Sequence, residues 1–239
     1  MMEVLKEDGD KNLSWGRKTL AALSHLVSIV FHPIFLISYF FVFLYTINPY
    51  IFAVQTDKDL GIVIIYVVII SIIFPAIPLV MMYFLGLSES IQLKERSERT
   101  IPLALTGIFY LWLYINMLNN SAIPMMYSSF LLGSTITLFG CFFINLFTKI
   151  SLHAAGIGGF MTAVFIAVNY FSYEYSHISL LVTINLQIKS ILFSILAIAI
   201  AGMVGTARLI LGAHKSEDLY GGYLLGIISQ IIAMQVLLF

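Results

Sequence analysis

Seven tracts of this chain contain no Asp, Glu, Lys or Arg: 19–56, 60–88, 100–148, 150–173, 175–188, 190–207 and 219–239. A helix needs roughly 20 apolar residues to cross about 30 Å of hydrocarbon, and most of these tracts reach that length. In lipid the backbone can be satisfied only by helices or a closed barrel, and runs such as Gly61–Leu87 show none of the polar/apolar alternation of barrel strands. The pattern therefore predicts helical spans at about 20–47, 61–87, 101–119, 124–147, 154–172, 190–211 and 219–239, the third being the shortest. The expected fold is all-α, a membrane bundle of about seven (six to seven) helices. The first apolar run is too long for a signal-peptide core and reads as a retained span. The domain reading is a polar N-terminal tail, 1–19, followed by one transmembrane domain, 20–239.

Composition agrees with that pattern. Of 239 residues, 60% are hydrophobic and 10% charged, and the mean hydropathy is +1.00, far from the usage of soluble domains. The formal net charge is zero, so nothing points to nucleic acid as a partner. A single cysteine, Cys141, excludes an intrachain disulfide and reads as packing. Small residues four apart, at Ala155/Gly159, Ala201/Gly205 and Gly222/Gly226, suit close helix–helix approach in lipid. Pro75 and Pro78 fall in the middle of the second span, where a kink is expected.

Charge then orients the bundle. Seven spans place 88–100, 148–153 and 208–218 on the side of the N-terminus. That side carries Lys6, Lys11, Arg17, Lys18, Lys94, Arg96, Arg99, Lys149, Arg208 and Lys215, against Lys58 and Lys189 on the other. The bias predicts that the first side is cytoplasmic. The opposite side holds Tyr45, Tyr50, Tyr114, Tyr127, Tyr170, Tyr173 and Tyr175, as an interfacial aromatic belt would. The expected location is a bacterial inner (cell) membrane, with membrane lipids as surroundings.

Three polar stretches on the N-terminal side could carry chemistry. In Ala207–Asp218, His214 and Asp218 are four apart, so on a helical turn the carboxylate can accept from one ring nitrogen and leave the other as a nucleophile or base. Arg208 is off that face on a continuous helix, and Gly212 offers the break that brings it round. In Lys149–Gly159, Ser151 and His153 open a span, where free backbone N–H groups can hold an anion. In Lys94–Pro102, the cations Lys94, Arg96 and Arg99 open another and could clamp a phosphate or carboxylate.

Together these residues resemble the type 2 phosphatidic acid phosphatase superfamily, whose site design is shared with vanadium haloperoxidases. Its motifs are K-x6-R-P, P-S-G-H and S-R-x5-H-x3-D. The third is matched at Arg208, His214 and Asp218, with Ala207 for its serine. The second is matched at Ser151 and His153, with Ile150 and Leu152 for its proline and glycine. In the first, Lys94 and Pro102 keep their separation while Ile101 takes the arginine position, for which Arg99 is the candidate substitute. The resemblance covers 94–218. It implies a phosphatidic acid phosphatase-like core in which His214 attacks phosphorus, Asp218 holds its ring and His153 protonates the leaving oxygen. Arg208, Lys94, Arg99, Ser151 and Lys149 would bind the phosphate, with no metal and no cofactor.

The expected function is hydrolysis of a phosphomonoester or diphosphate lipid (phosphatidic acid, phosphatidylglycerol phosphate or a prenyl diphosphate) through a phosphohistidine. The alternatives are transfer of the phosphoryl group to another lipid hydroxyl, and non-enzymatic transport of an anion or lipid. Span-end charges have a plainer role as interfacial anchors, weighed evenly for Arg96, Lys149 and Lys215. His25 and His32, seven apart in the first span, are a candidate by depth. They read more simply as neutral histidines bonded to a neighbouring helix, and His177 as a loop residue.

Overall fold

The computed structural model describes residues 2–54, 56–86, 97–173, 175–180 and 184–239. In chain order the helices are α1 (Met2–Val30), α2 (Pro33–Ile47), α3 (Asp57–Val68), α4 (Phe74–Phe84), α5 (Thr100–Leu118), α6 (Met125–Asn145), α7 (Leu152–Tyr170), α8 (Ile191–Ile210) and α9 (Ser216–Leu238). Between α7 and α8, β1 (Tyr175–Leu180) and β2 (Ile184–Lys189) pair antiparallel, with Tyr175 opposite Lys189. The hairpin is the one departure from an all-helical chain among the described residues, and it contains His177, read from the sequence as a loop residue.

Among the described residues six helices are long and apolar enough to cross a membrane: 58–84, 100–118, 125–145, 152–170, 191–210 and 216–238. They are consistent with an integral membrane protein. A seventh crossing exists if Gly16–Val30 and Pro33–Ile47 count as one span, for these two segments meet at 62°. The expected first span, 20–47, is therefore corrected: it is not one helix. α1 runs from the polar residues straight into the apolar ones without a break at residue 19.

Pro33 causes the break. It has no N–H to continue the ladder, and it restricts the residue before it to extended backbone. His32 has φ −65° and ψ 136°, and its own N–H bonds back to Ile29 O at 3.2 Å. The His32 side chain then caps α2, Nδ1 accepting from Ile34 N–H at 3.3 Å, with Pro33 at the first helical position where its missing donor is not needed. Along α1 the polarity is inverted. Leu23, Leu26 and Ile29 face outward while Ser24 and Ser28 are buried, the arrangement expected of a helix whose outer surroundings are lipid.

The prolines of the second span act differently. Ile69–Ile73 is a single π-turn, and the helix on either side stays one unbroken span. Pro75 deprives Ser71 O of its helical donor, and Tyr110 Oη–H supplies one from α5 at 3.4 Å. Ser38 Oγ lies 3.3 Å from Ser71 Oγ.

The core lies between α2, α6 and α7. Phe40 and Phe130 pack with ring centroids 4.3 Å apart. Tyr127, assigned from sequence to the aromatic belt, is instead fully buried edge-on to Phe41. Tyr50, Tyr170 and Tyr173 are exposed at the end of the bundle away from the N-termini of α5 and α7. There Asn48 Nδ2–H donates to Phe171 O at 3.0 Å, joining the ends of α2 and α7.

α7 and α9 pack backbone on backbone, and the glycines explain it. A methyl on Gly226 would overlap Ala155 O, and one on Gly222 would come within 2.7 Å of Ser151 O. Backbone on backbone is possible only because these positions lack Cβ. Gly205 accommodates the Tyr223 ring, whose hydroxyl donates to Ala201 O at 2.6 Å, tying α8 to α9.

Candidate active site

The N-termini of α5, α7 and α9 and the C-terminus of α8 converge at one end of the bundle. α8 ends because Gly212 adopts φ +60°, the left-handed cap that glycine takes without strain. Gly212 N–H and Ala213 N–H bond back to Leu209 O and Arg208 O. The five residues after α8 reverse the chain into α9, so Arg208 and His214 come to line one cavity.

His214 is buried. Its Nδ1–H donates to Asp218 Oδ2 at 3.3 Å, and the same oxygen accepts from Lys215 N–H at 3.2 Å. An acceptor on Nδ1 leaves Nε2 as the bare, basic nitrogen of neutral His214. Its pKa is lowered from 6.5 to about 4. Burial is the main cause; the bond to Asp218 opposes it, and the charges of Arg208, Arg99 and Lys149 add to it. The imidazole is thus neutral around pH 7.

The second motif is fastened to the third by main chain, with Ser151 N–H donating to Asp218 O at 3.2 Å. Ser151 Oγ caps α7, accepting from Ala154 N–H at 3.4 Å. Ser151 is fully buried and does not line the cavity, so its hydroxyl does the work of a cap. His153, in the first turn of α7, does line it. Its Nε2–H donates to Ser28 O at 3.0 Å; a carbonyl can only accept, so Nδ1 is the nitrogen left for the cavity.

Among the cations, Arg99 and Arg208 line the cavity. Arg208 Nη1–H reaches Ser28 Oγ at 3.5 Å, while its Nε is buried with no hydrogen-bond partner among the described residues. Lys149 is exposed on the loop before α7, outside the lining, and acts on the site at a distance through its charge. Lys94 and Arg96 lie outside the described residues. Among the described residues no three His, Cys, Asp or Glu side chains are grouped to hold a metal ion.

One further residue of the candidate site, His32, was read from sequence as a candidate by depth and more simply as a neutral histidine bonded to a neighbouring helix. His32 lines the cavity and sits edge-to-face on His153, with ring centroids 5.1 Å apart. The available signal was His32-Pro33, a helix-starting pair that ends α1 at the level of the site.

The cavity measures about 210 Å³. Imidazoles and guanidiniums line its head, and Leu36, Leu103 and Leu138 its walls. Tyr110 and Phe130 lie at its far end; Arg99 to Tyr110 is roughly 16 Å along a helix at about 1.5 Å per residue.

Compared with known proteins, the chain matches no family model, no curated protein and no solved structure.

Proposed function

We propose that this protein is an integral membrane lipid phosphatase of the type 2 phosphatidic acid phosphatase kind, cleaving a phosphomonoester or diphosphate lipid through a phosphohistidine. The observation that carries the reading is the shape of one cavity. Arg99, Arg208, His153 and His214 line its head, and a mainly apolar shaft, with Thr106, Ser134 and Thr137 among its walls, runs from them toward Tyr110 and Phe130, so a single molecule with an anionic end and a hydrocarbon end suits both halves.

In this reading His214 Nε2 attacks phosphorus in line with the ester oxygen. The P–O bond to the lipid breaks as the P–N bond forms, and His153, entering as the imidazolium that the bound anionic phosphate stabilises, with Nε2–H still on Ser28 O, gives its Nδ1 proton to the departing alkoxide. Water then attacks the phosphohistidine and passes a proton back to His153. The P–N bond breaks, inorganic phosphate leaves and both histidines are restored. Arg208 and Arg99 neutralise the non-bridging oxygens as charge grows, a kind of contact worth about 2.7–4 kcal/mol of barrier when one donor is removed. The cavity is smaller than the roughly 300–1,000 Å³ of pockets that enclose a whole drug-sized ligand. It therefore holds a headgroup and the first segment of a chain.

The side bearing the site faces the cytoplasm in this reading, because most Lys and Arg residues lie there.

The test is phosphate release by the purified protein from phosphatidic acid, phosphatidylglycerol phosphate and undecaprenyl diphosphate, with and without EDTA. Release from at least one lipid that survives EDTA is expected. Activity abolished by EDTA would contradict the metal-free mechanism, and turnover of none of the three would contradict the reading. Release only with an acceptor lipid present would make the protein a transferase.

A further inference from the structure

Residues 28–32, where α1 gives way to α2, touch the site more than once. Ser28 O accepts from His153 Nε2–H at 3.0 Å, Ser28 Oγ accepts from Arg208 at 3.5 Å, and the His32 ring stands at 90° to His153. This segment lies outside 94–218, where the three motifs sit. Its polar groups are turned inward from a helix whose outer face is apolar.

A general acid must present one particular nitrogen to the leaving oxygen, and an error of about 1 Å can cost roughly a hundredfold in rate. The bond to Ser28 O fixes one vertex of the His153 ring but leaves the ring free to tilt about it. A second ring packed edge-to-face, at a centroid distance inside the usual range of about 4.5–7 Å, removes that freedom. His32 is itself held, because its Nδ1 accepts from Ile34 N–H and its backbone is set by Pro33.

We propose that His32 is a positioning residue of the site, holding the His153 ring so that Nδ1 faces the scissile ester. The proposal rests on the phosphatase reading above, in which His153 is the general acid. It makes α1 and the break after it part of the active site.

The experiment compares wild type, His32→Ala, His32→Asn, His153→Ala and the double variant His32→Ala/His153→Ala. Two substrates are used: phosphatidic acid in detergent micelles, whose alkoxide needs a proton to leave, and p-nitrophenyl phosphate, whose phenolate does not. Asn retains the helix cap that Ala removes, so His32→Asn separates the ring from the cap, and thermal unfolding checks that each variant is folded. Both His32 variants are expected to lose about tenfold or more in kcat on phosphatidic acid, within the 10²–10⁴ that a general acid contributes, and to change little on p-nitrophenyl phosphate. In the His153→Ala background the loss should vanish, because the two residues act as a unit. Should His32→Ala fail to fold, His32→Asn carries the same expectation.

Full activity in His32→Asn would reduce His32 to a cap and overturn the proposal. Equal losses on both substrates, or a further loss in the His153→Ala background, would overturn it too, since His32 would then act elsewhere. These failures are distinct from failure of the phosphatase reading, which would appear as no phosphate release by wild type or undiminished release by His214→Ala. In either case the proposal falls with it.

Discussion

In the proposed reaction His214 is the residue on which the chemistry turns. Its pKa of about 4 means that the free protein keeps a neutral nucleophile well below pH 6.5, so kcat/KM should fall on the acid side near pH 4. An acid limb near 6.5 would contradict the burial and the cation field around it. The same depression bears on stability. Folded His214 binds a proton less readily than the unfolded chain does, so stability should decline as pH falls from about 6.5 toward about 4, measured by thermal unfolding across that window. The cations differ in rank. Arg99→Ala should lower kcat/KM by about a hundredfold, as loss of one transition-state donor does, whereas Lys149→Ala, exposed and outside the lining, should stay within about threefold on the scale of a screened surface charge. Comparable losses would mean that the phosphate sits nearer the loop than the cavity places it.

This site was legible where it is local. Arg208, His214 and Asp218 announce themselves by spacing along a few helical turns, and Gly212 by the turn it permits. His32 was not legible in the same way. Its partner His153 is far along the chain, and a histidine in an apolar run has a bland reading that only the fold can displace. Ser151, expected from sequence to help bind the anion, has its hydroxyl on Ala154 N–H as the cap that starts α7.

At the scale of elements, the α7–α9 contact sets the geometry, since Ser151 N–H to Asp218 O joins the two motifs across it. Gly226→Ala should therefore lower both the unfolding temperature and activity, by forcing apart helices whose backbones touch at Ala155. Gly202→Ala, also in a helix but with open space around it, should be silent or slightly stabilising. If Gly226→Ala were equally silent, the two motifs would not depend on this contact. The small-residue pairs made the contact readable in advance. The hairpin has its own signal in the alternation Ile184-Asn-Leu-Gln-Ile-Lys189, set between longer apolar tracts that form helices. The 62° bend follows from Pro33, whereas Pro75 bends its helix less because a π-turn and Tyr110 absorb the missing bond.

For the whole molecule, helices alternate in direction so that Arg99, His153, Arg208 and His214 meet at one end, with the hairpin and the exposed tyrosines at the other. Orientation in the membrane is open to direct labelling. With the buried Cys141 replaced by Ala, a cysteine at exposed Lys149 should react with a membrane-impermeant maleimide only after cells are opened, and one at exposed Tyr50 in intact cells. The reverse pattern would place the site on the outer face.

The central claim, a nucleophilic His214 acting on a lipid phosphate, is tested most directly by rapid quench after mixing with phosphatidic acid labelled with ³²P in its phosphate. The account predicts protein-bound label that is stable to base, lost in acid, mapped to His214 and missing from His214→Ala. Turnover without such label, or label that persists in His214→Ala, would contradict it.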